Sequence, residues 1–373
     1  MYEELRTPAY VISEPVLQYN LGILDRVQRE ADCKILLALK AFALPPVFPA
    51  LREVLCGTAA SSLHEARFGF EHFGDSVHLC APVFRAEEFS QLLQWCRHVV
   101  FNSFSQYHQF RDVVRASQRR VSCGLRVNPE HSEVEAGIYD PCAPGSRLGV
   151  TREYFEFDGL HEIEGLHFHT LCGVNADALQ RTLMAVEHKF AAALQAVRWV
   201  NFGGGHHITR NDYDVDGLID IVRDFRRRYA VDVFLEPGEA VVMNAGVLVG
   251  QVLDVLPNGT AVLDVSATCH MPDVIEMPYR PDVRGAGLPG ELAHTYHLGG
   301  PTCLAGDVLG QYSFAKPLSL GQRIVFEDMA CYTMVKNTMF NGVNLPDICL
   351  QKQNGDIEVL RTFDYSDYFG RLG

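Results

Sequence analysis

No stretch of the 373 residues stays apolar long enough to span a bilayer. The eleven cysteines include no C-x-x-C pair, which removes the spacing of a zinc ribbon, and their odd number fits no closed disulfide framework. A reducing, cytoplasmic setting is therefore the default expectation. The opening Met1-Tyr2-Glu3-Glu4 lacks the basic-then-apolar pattern of a signal peptide. Positive charge is scarce: 32 Lys and Arg against 46 Asp and Glu leave a net charge of −14. That surplus disfavours nucleic acid and anionic membrane as partners and is compatible with a cationic small molecule. No G-x-G-x-x-G follows the first strand pattern, so the dinucleotide fingerprint is missing. Low-complexity tracts and internal repeats are also lacking.

What is present is alternation. Thr7-Pro8-Ala9-Tyr10-Val11-Ile12 reads as a short strand. Ser13 then reads as the N-cap of a helix with Pro15 in its first turn and Leu17, Leu21, Leu24 and Val27 on one face. Apolar strand cores follow at 34–39, 54–58, 77–80, 99–102, 122–127, 164–169, 199–202 and 233–236, with amphipathic stretches such as 62–73 and 176–196 between them. Eight strand–helix alternations predict a closed, eight-stranded β/α barrel; an open doubly wound sheet is the alternative. Beyond about Ala240 the pattern turns to valine-rich strands at 241–255 and 260–265, joined by the hairpin signal Asn258-Gly259. Similar stretches lie at 322–326 and 357–360. The expectation is a barrel over 8–240 and an all-β domain over 241–373, with residues 1–7 as candidates to join the second. Segment 128–150, with three prolines and three glycines, reads as a long loop.

Chemistry-bearing residues fall at the C-terminal ends of the expected barrel strands, where barrels gather their active sites. Lys40 follows the run Ile35-Leu36-Leu37-Ala38-Leu39. A desolvated lysine loses its proton readily and attacks carbonyls, which makes it a natural Schiff-base partner for pyridoxal phosphate. His169 closes Gly165-Leu166-His167-Phe168-His169 and could stack on a cofactor ring; the plainer reading is a hydrogen-bonded core histidine. The His167/His169 pair also raises the question of a metal, but no third ligand is evident in the pattern, so none is expected. Gly203-Gly204-Gly205 is a candidate phosphate cradle, since backbone N–H groups without Cβ atoms approach an anion closely. Glu236, in Glu236-Pro237-Gly238-Glu239, could accept a hydrogen bond from a pyridine nitrogen and keep it protonated. The glycine-rich Gly299-Gly300-Pro301-Thr302-Cys303-Leu304-Ala305-Gly306-Asp307 suggests an exposed thiol at Cys303, against the usual buried fate of cysteine.

Together these pieces resemble the fold-type III pyridoxal-phosphate decarboxylases, the family of the diaminopimelate, ornithine and carboxynorspermidine enzymes. The resemblance rests on Leu39-Lys40-Ala41, Gly165–His169, Phe202-Gly203-Gly204-Gly205, Glu236-Pro237-Gly238, Gly300-Pro301-Thr302-Cys303 and Met329-Ala330-Cys331-Tyr332, ordered over nearly the whole chain. Phe42-Ala43-Leu44-Pro45, Ala267-Thr268-Cys269-His270-Met271-Pro272-Asp273 and Cys303–Asp307 resemble the carboxynorspermidine branch. The resemblance implies an alanine-racemase-like barrel with a C-terminal β domain, a homodimer with shared sites, and pyridoxal 5'-phosphate as cofactor. It implies that Lys40 carries the cofactor, that His169 stacks on it and that Glu236 pairs with its nitrogen. Gly204, Gly205, Gly238 and Tyr332 would hold its phosphate, and Cys303, from the partner subunit, would return a proton.

Departures from the family pattern bear on substrate. Diaminopimelate enzymes usually carry arginine where this chain has Glu239. Reversing the sign suits a cationic rather than an anionic far end of the substrate. Asp273 and Asp307 add negative charge, and His270 lies beside the first, so all four are candidate substrate contacts. Cys172 stands where a serine is common, and Ala59-Ala60 replaces an aspartate-containing segment. The expected reaction is decarboxylation of carboxynorspermidine, and of carboxyspermidine, which differs by one methylene and is not separable from sequence. The alternatives are a diaminopimelate or other basic amino-acid decarboxylase, and a non-catalytic cofactor-binding homologue.

Overall fold

The computed structural model describes residues 2–373. β1, Ala9–Ser13, leads directly into the helix Glu14–Ala31. Eight parallel strands then close on themselves: β2 (Lys34–Ala38), β3 (Gly57–Ala60), β4 (Val77–Cys80), β5 (His98–Phe101), β6 (Ser122–Arg126), β7 (Gly165–His167), β8 (Trp199–Asn201) and β9 (Asp232–Leu235). β9 returns to β2 through Lys34↔Phe234 and Ile35↔Leu235. In β2 every residue after Lys34 is buried, as a strand covered on both faces requires. Every expected barrel strand is present, shifted by up to three residues at its ends.

The barrel interior is filled by side chains. Trp199 lies across it where Gly124 and Gly165 leave room: a Cβ at Gly165 would sit 2.0 Å from the indole. Trp199 Nε1 donates to Ser122 Oγ at 2.9 Å, and His78 stacks on His98 with ring centroids 3.8 Å apart. Serine hydroxyls cap two of the helices: those of Ser62 and Ser103 accept the N–H groups of Glu65 and Gln106. The expected helix 62–73 divides into an α segment, Leu63–Phe68, and a π turn, Gly69–Phe73. Gly69 presses onto β3, with no room for a Cβ beside Thr58 Oγ1 at 2.5 Å.

The second compact unit comprises the chain up to Tyr19 and from Val242 onward, whereas Asn20–Val241 forms the barrel unit. Its strands are β1 with β10 (Gly246–Val255), β11 (Thr260–Leu263), β12 (His294–Gly299), β13 (Val308–Phe314), β14 (Arg323–Phe326), β15 (Asp347–Gln351) and β16 (Ile357–Arg361). The order is β13-β12-β11-β10-β1-β15-β16, with β14 also on β10. β1 therefore sits inside this sheet, antiparallel to β10 and parallel to β15. The N-terminal contribution thus runs well past residue 7, because the backbone of β1 is hydrogen-bonded on both sides. The strand expected from 241 begins at Gly246: residues 238–242 are helical, and Asn244 takes a left-handed turn at φ 56°. The Asn258-Gly259 turn forms as its residues demand, with Gly259 at φ 82°. Tyr10, Leu248, Leu263, Leu298, Tyr312 and Phe326 centre the core of this unit.

Candidate active site

At the C-terminal end of β2 the chain turns through Leu39–Phe42. Leu39, Ala41 and Phe42 are buried, and the Leu39 N–H donates to Ala59 O at 3.0 Å, so the turn is rigid. Lys40 is exposed. The desolvation expected of it is thus not supplied by its neighbours in the chain. Its ammonium acts electrostatically on Glu65, His169, Cys172 and Glu236, which defines the neighbourhood of the site.

His169 follows β7. Its Nδ1 accepts the Gly204 N–H at 3.0 Å, so in the neutral ring the proton sits on Nε2. Burial holds its charged form well below the ordinary histidine range, reinforced by Lys40 and Arg126. His167, His169 and Glu236 bring donor atoms within 4.8 Å of one another, a spacing a metal ion could use. The Gly204 bond argues against it. A ligating Nε2 would push the ring proton to Nδ1, directly against the Gly204 N–H.

Glu236, at the end of β9, is buried. Its Oε1 accepts from Asn201 Nδ2 at 2.7 Å, and His167 Nε2 lies 3.7 Å from Oε2. Burial alone would raise its carboxyl, but His167, Lys40 and Asn201 hold it below the usual range. His167 and Asn201 are register partners on adjacent strands, so both reach the carboxylate from the same height in the barrel. On its other side His167 Nδ1 faces Cys80 Sγ at 3.9 Å. Asn201 and Cys80 escaped sequence reasoning; the only signal was polarity on otherwise apolar strands.

Close approach explains the glycines. A Cβ on Gly204 would lie 2.6 Å from Glu236 O, one on Gly205 1.9 Å from Leu171 O, and one on Gly238 2.6 Å from Ala41 Cβ. Gly203 and Gly205 have φ of 70° and 84°. The cradle reading narrows here: the Gly203 N–H donates to Asn201 Oδ1 and that of Gly204 to His169, so Gly204 orients a ring rather than offering a free donor. Glu239 lies with Oε2 2.9 Å from His207 Nε2, and exposed Cys172 stands within its electrostatic reach.

The remaining expected residues belong to the β unit. Cys303 is exposed, and its N–H donates to Asn341 Oδ1 at 2.8 Å. Asp307, expected to contact the substrate, is buried and accepts from Ser266 Oγ at 2.9 Å and Thr302 Oγ1 at 2.7 Å. It clamps the loop that carries Cys303. His270 is likewise not available to a substrate. It is fully buried, its Nδ1 accepts the Ser266 N–H at 3.1 Å, and its Nε2 meets Asn344 O at 3.0 Å. Asp273 hydrogen-bonds Lys336 Nζ, which also reaches Glu276 Oε2 at 2.6 Å, so two carboxylates share one ammonium and one negative charge is left over. Tyr332 adopts φ 51°, a left-handed conformation that costs a bulky residue energy and marks a built position.

Residues 9–330 match a family described as "Pyridoxal-dependent decarboxylase, C-terminal sheet domain". A carboxyaminopropylagmatine decarboxylase of Synechocystis sp. is 44% identical over 99% of this chain and 96% of its own length. A carboxynorspermidine/carboxyspermidine decarboxylase of Campylobacter jejuni is 42% identical, covering 98% of both chains. The crystal structure of carboxynorspermidine decarboxylase complexed with norspermidine, from Campylobacter jejuni, superposes with a TM-score of 0.91 over 98% of this chain and 100% of that one, at 40% identity.

Proposed function

The chain belongs to the pyridoxal-dependent decarboxylases, and from that premise we propose that it removes the α-carboxylate of carboxynorspermidine, and of carboxyspermidine, in polyamine biosynthesis. The observation that carries the chemistry is the buried Glu236 carboxylate, kept ionised between Asn201 and His167 in the barrel whose rim carries Lys40.

These residues fit pyridoxal 5'-phosphate. A lysine stands on a tightly held turn at the barrel rim, and a buried carboxylate, held below its ordinary range, suits a protonated ring nitrogen. When bound, the cofactor supplies an electron-withdrawing ring that accepts the electron pair left as carbon dioxide departs. Lys40 would hold the cofactor, His169 would face its ring as a neutral imidazole, and Glu236 would keep its nitrogen protonated. Gly205 would offer its backbone to the phosphate, joined by Tyr332 and by Gly238, whose own N–H is donated to Glu236 O at 2.8 Å. Cys303, contributed within a homodimer, returns a proton to Cα, and Asp307 holds the loop that presents it.

Substrate choice follows from charge. Glu239 and the acidic pair Asp273/Glu276 favour a tail carrying amines over one ending in a carboxylate. The 44% identity to a carboxyaminopropylagmatine decarboxylase favours a second reading, in which the tail ends in a guanidinium. Both tails are cations, and a carboxylate takes a guanidinium through two parallel hydrogen bonds.

The test is carbon dioxide release by the cofactor-loaded protein with carboxynorspermidine, carboxyaminopropylagmatine and meso-diaminopimelate in parallel, and with Lys40→Ala as control. Preference for carboxynorspermidine upholds the proposal, and preference for carboxyaminopropylagmatine selects the second reading. Preference for diaminopimelate, or full turnover by Lys40→Ala, overturns it.

A further inference from the structure

The carboxylate of Glu236 is buried, yet among the described residues one of its two oxygens accepts a hydrogen bond from a neutral partner, Asn201. A buried carboxylate with no balancing charge is strongly unfavourable. The Arg126 guanidinium donates to His169 O at 3.4 Å, and Lys40, though exposed, acts on the carboxylate from the rim. Among the described residues, His167 is the group that forms an ion pair with Glu236. It is buried, its Nε2 faces Oε2, and its Nδ1 faces Cys80 Sγ.

We propose that His167 is a positioning residue for the cofactor's ring nitrogen: wedged between Cys80 of β4 and Glu236 just beyond β9, it keeps the Glu236 carboxylate charged and aimed for the ring. The inference rests on the reading of Glu236 given above. Every titratable or charged group facing His167 enters the balance. Cys80 and Glu236 favour its charged form, whereas His78, His169 and the register neighbour Arg126 oppose it. Burial alone would push His167 down, but Cys80 and Glu236 lift it to about 9. The imidazolium therefore supplies the counter-charge while the cofactor is absent. Once a protonated ring nitrogen approaches, the carboxylate is already ionised and needs no reorganisation.

The experiment uses the cofactor-free protein. Nitrogen-15 spectra of the histidine rings, with His167→Asn for assignment, are followed from pH 6 to 10 in the wild type and in Cys80→Ala. In parallel, equilibrium titrations compare pyridoxal phosphate with its 1-deaza analogue, which lacks the ring nitrogen, on the wild type, His167→Asn, His167→Gln and Glu236→Gln. The expected result is a charged His167 at pH 8, a lower midpoint in Cys80→Ala, and a roughly tenfold loss of pyridoxal phosphate affinity in both His167 variants, with the deaza analogue nearly unaffected. A neutral His167 at pH 8 overturns the inference whether or not the variants fold. Equal loss of both ligands in the His167 variants also overturns it, because the residue then only supports packing. If Glu236→Gln fails to discriminate the two ligands, the ring-nitrogen reading of Glu236 falls instead, and the spectra still decide whether His167 carries the counter-charge.

Discussion

The Gly204 N–H donates to His169 Nδ1 at 3.0 Å, and that single bond decides which nitrogen of the ring holds its proton. It also explains why position 204 tolerates no side chain, since a Cβ there meets Glu236 O at 2.6 Å and His169 Cε1 at 3.0 Å. Gly204→Ala should shift both cofactor-facing residues together. Affinity for pyridoxal phosphate should drop by about tenfold or more, while the far-ultraviolet spectrum stays native. An unchanged titration curve would mean that neither residue depends on the glycine.

Glu239→Arg should separate tail recognition from cofactor binding. Reversing the charge should raise KM for a polyamine substrate on the order of 30-fold or more, consistent with losing about 2 kcal/mol from a charge pair. Cofactor affinity should change little. Equal loss of both would assign Glu239 to the cofactor, or to the stability of its contact with His207.

Three histidines, His206 and His270 buried and His98 half-buried, set an acid limit. Burial pushes His98, His206 and His270 down to about 4. Their ordinary value is near 6.5, so above that pH they contribute no pH dependence. As pH falls from about 6.5 toward 4, the unfolded chain binds protons that the folded chain refuses, and stability declines. Below about 4 both states are protonated and the loss levels off. Denaturant titrations at pH 7, 5.5 and 4.5 should give progressively lower midpoints; a flat profile would show that these rings take up protons in the fold.

Asp307→Ala should act through stability. It removes the acceptor for the Ser266 and Thr302 hydroxyls and should cost about 2–4 kcal/mol in urea unfolding. Decarboxylation should weaken mainly in kcat, because the loop carrying Cys303 loosens. A raised KM with unaltered unfolding would instead restore a direct substrate role for Asp307.

The barrel strands were legible because each is a short apolar run bounded by breakers, and such runs report local burial. Lys40, His169 and Glu236 were legible for a related reason: once the alternation implies a barrel, strand ends mark the site. The misses have other causes. β12 reads His-Thr-Tyr-His-Leu-Gly and β15 reads Asp-Ile-Cys-Leu-Gln, and neither shows a clean apolar alternation. β1 looked like part of the barrel because nothing local reveals that its partners, β10 and β15, lie more than two hundred residues downstream.

By itself the sequence determined the alternation, the change of texture after Ala240, and the identity of the reactive groups, since these depend on residue order and local propensity. Only the tertiary structure decided what each charge faces. Asp273 meets Lys336 across 63 positions, Asp307 meets Ser266 across 41, and Glu236 meets Asn201 across 35. His167 and Cys80 lie 87 positions apart, yet stand together behind Glu236. The ionisation of a buried group depends on the dielectric and on charges within a few ångströms. Those neighbours come from other strands, so the closed barrel is what turns a list of polar residues into a site.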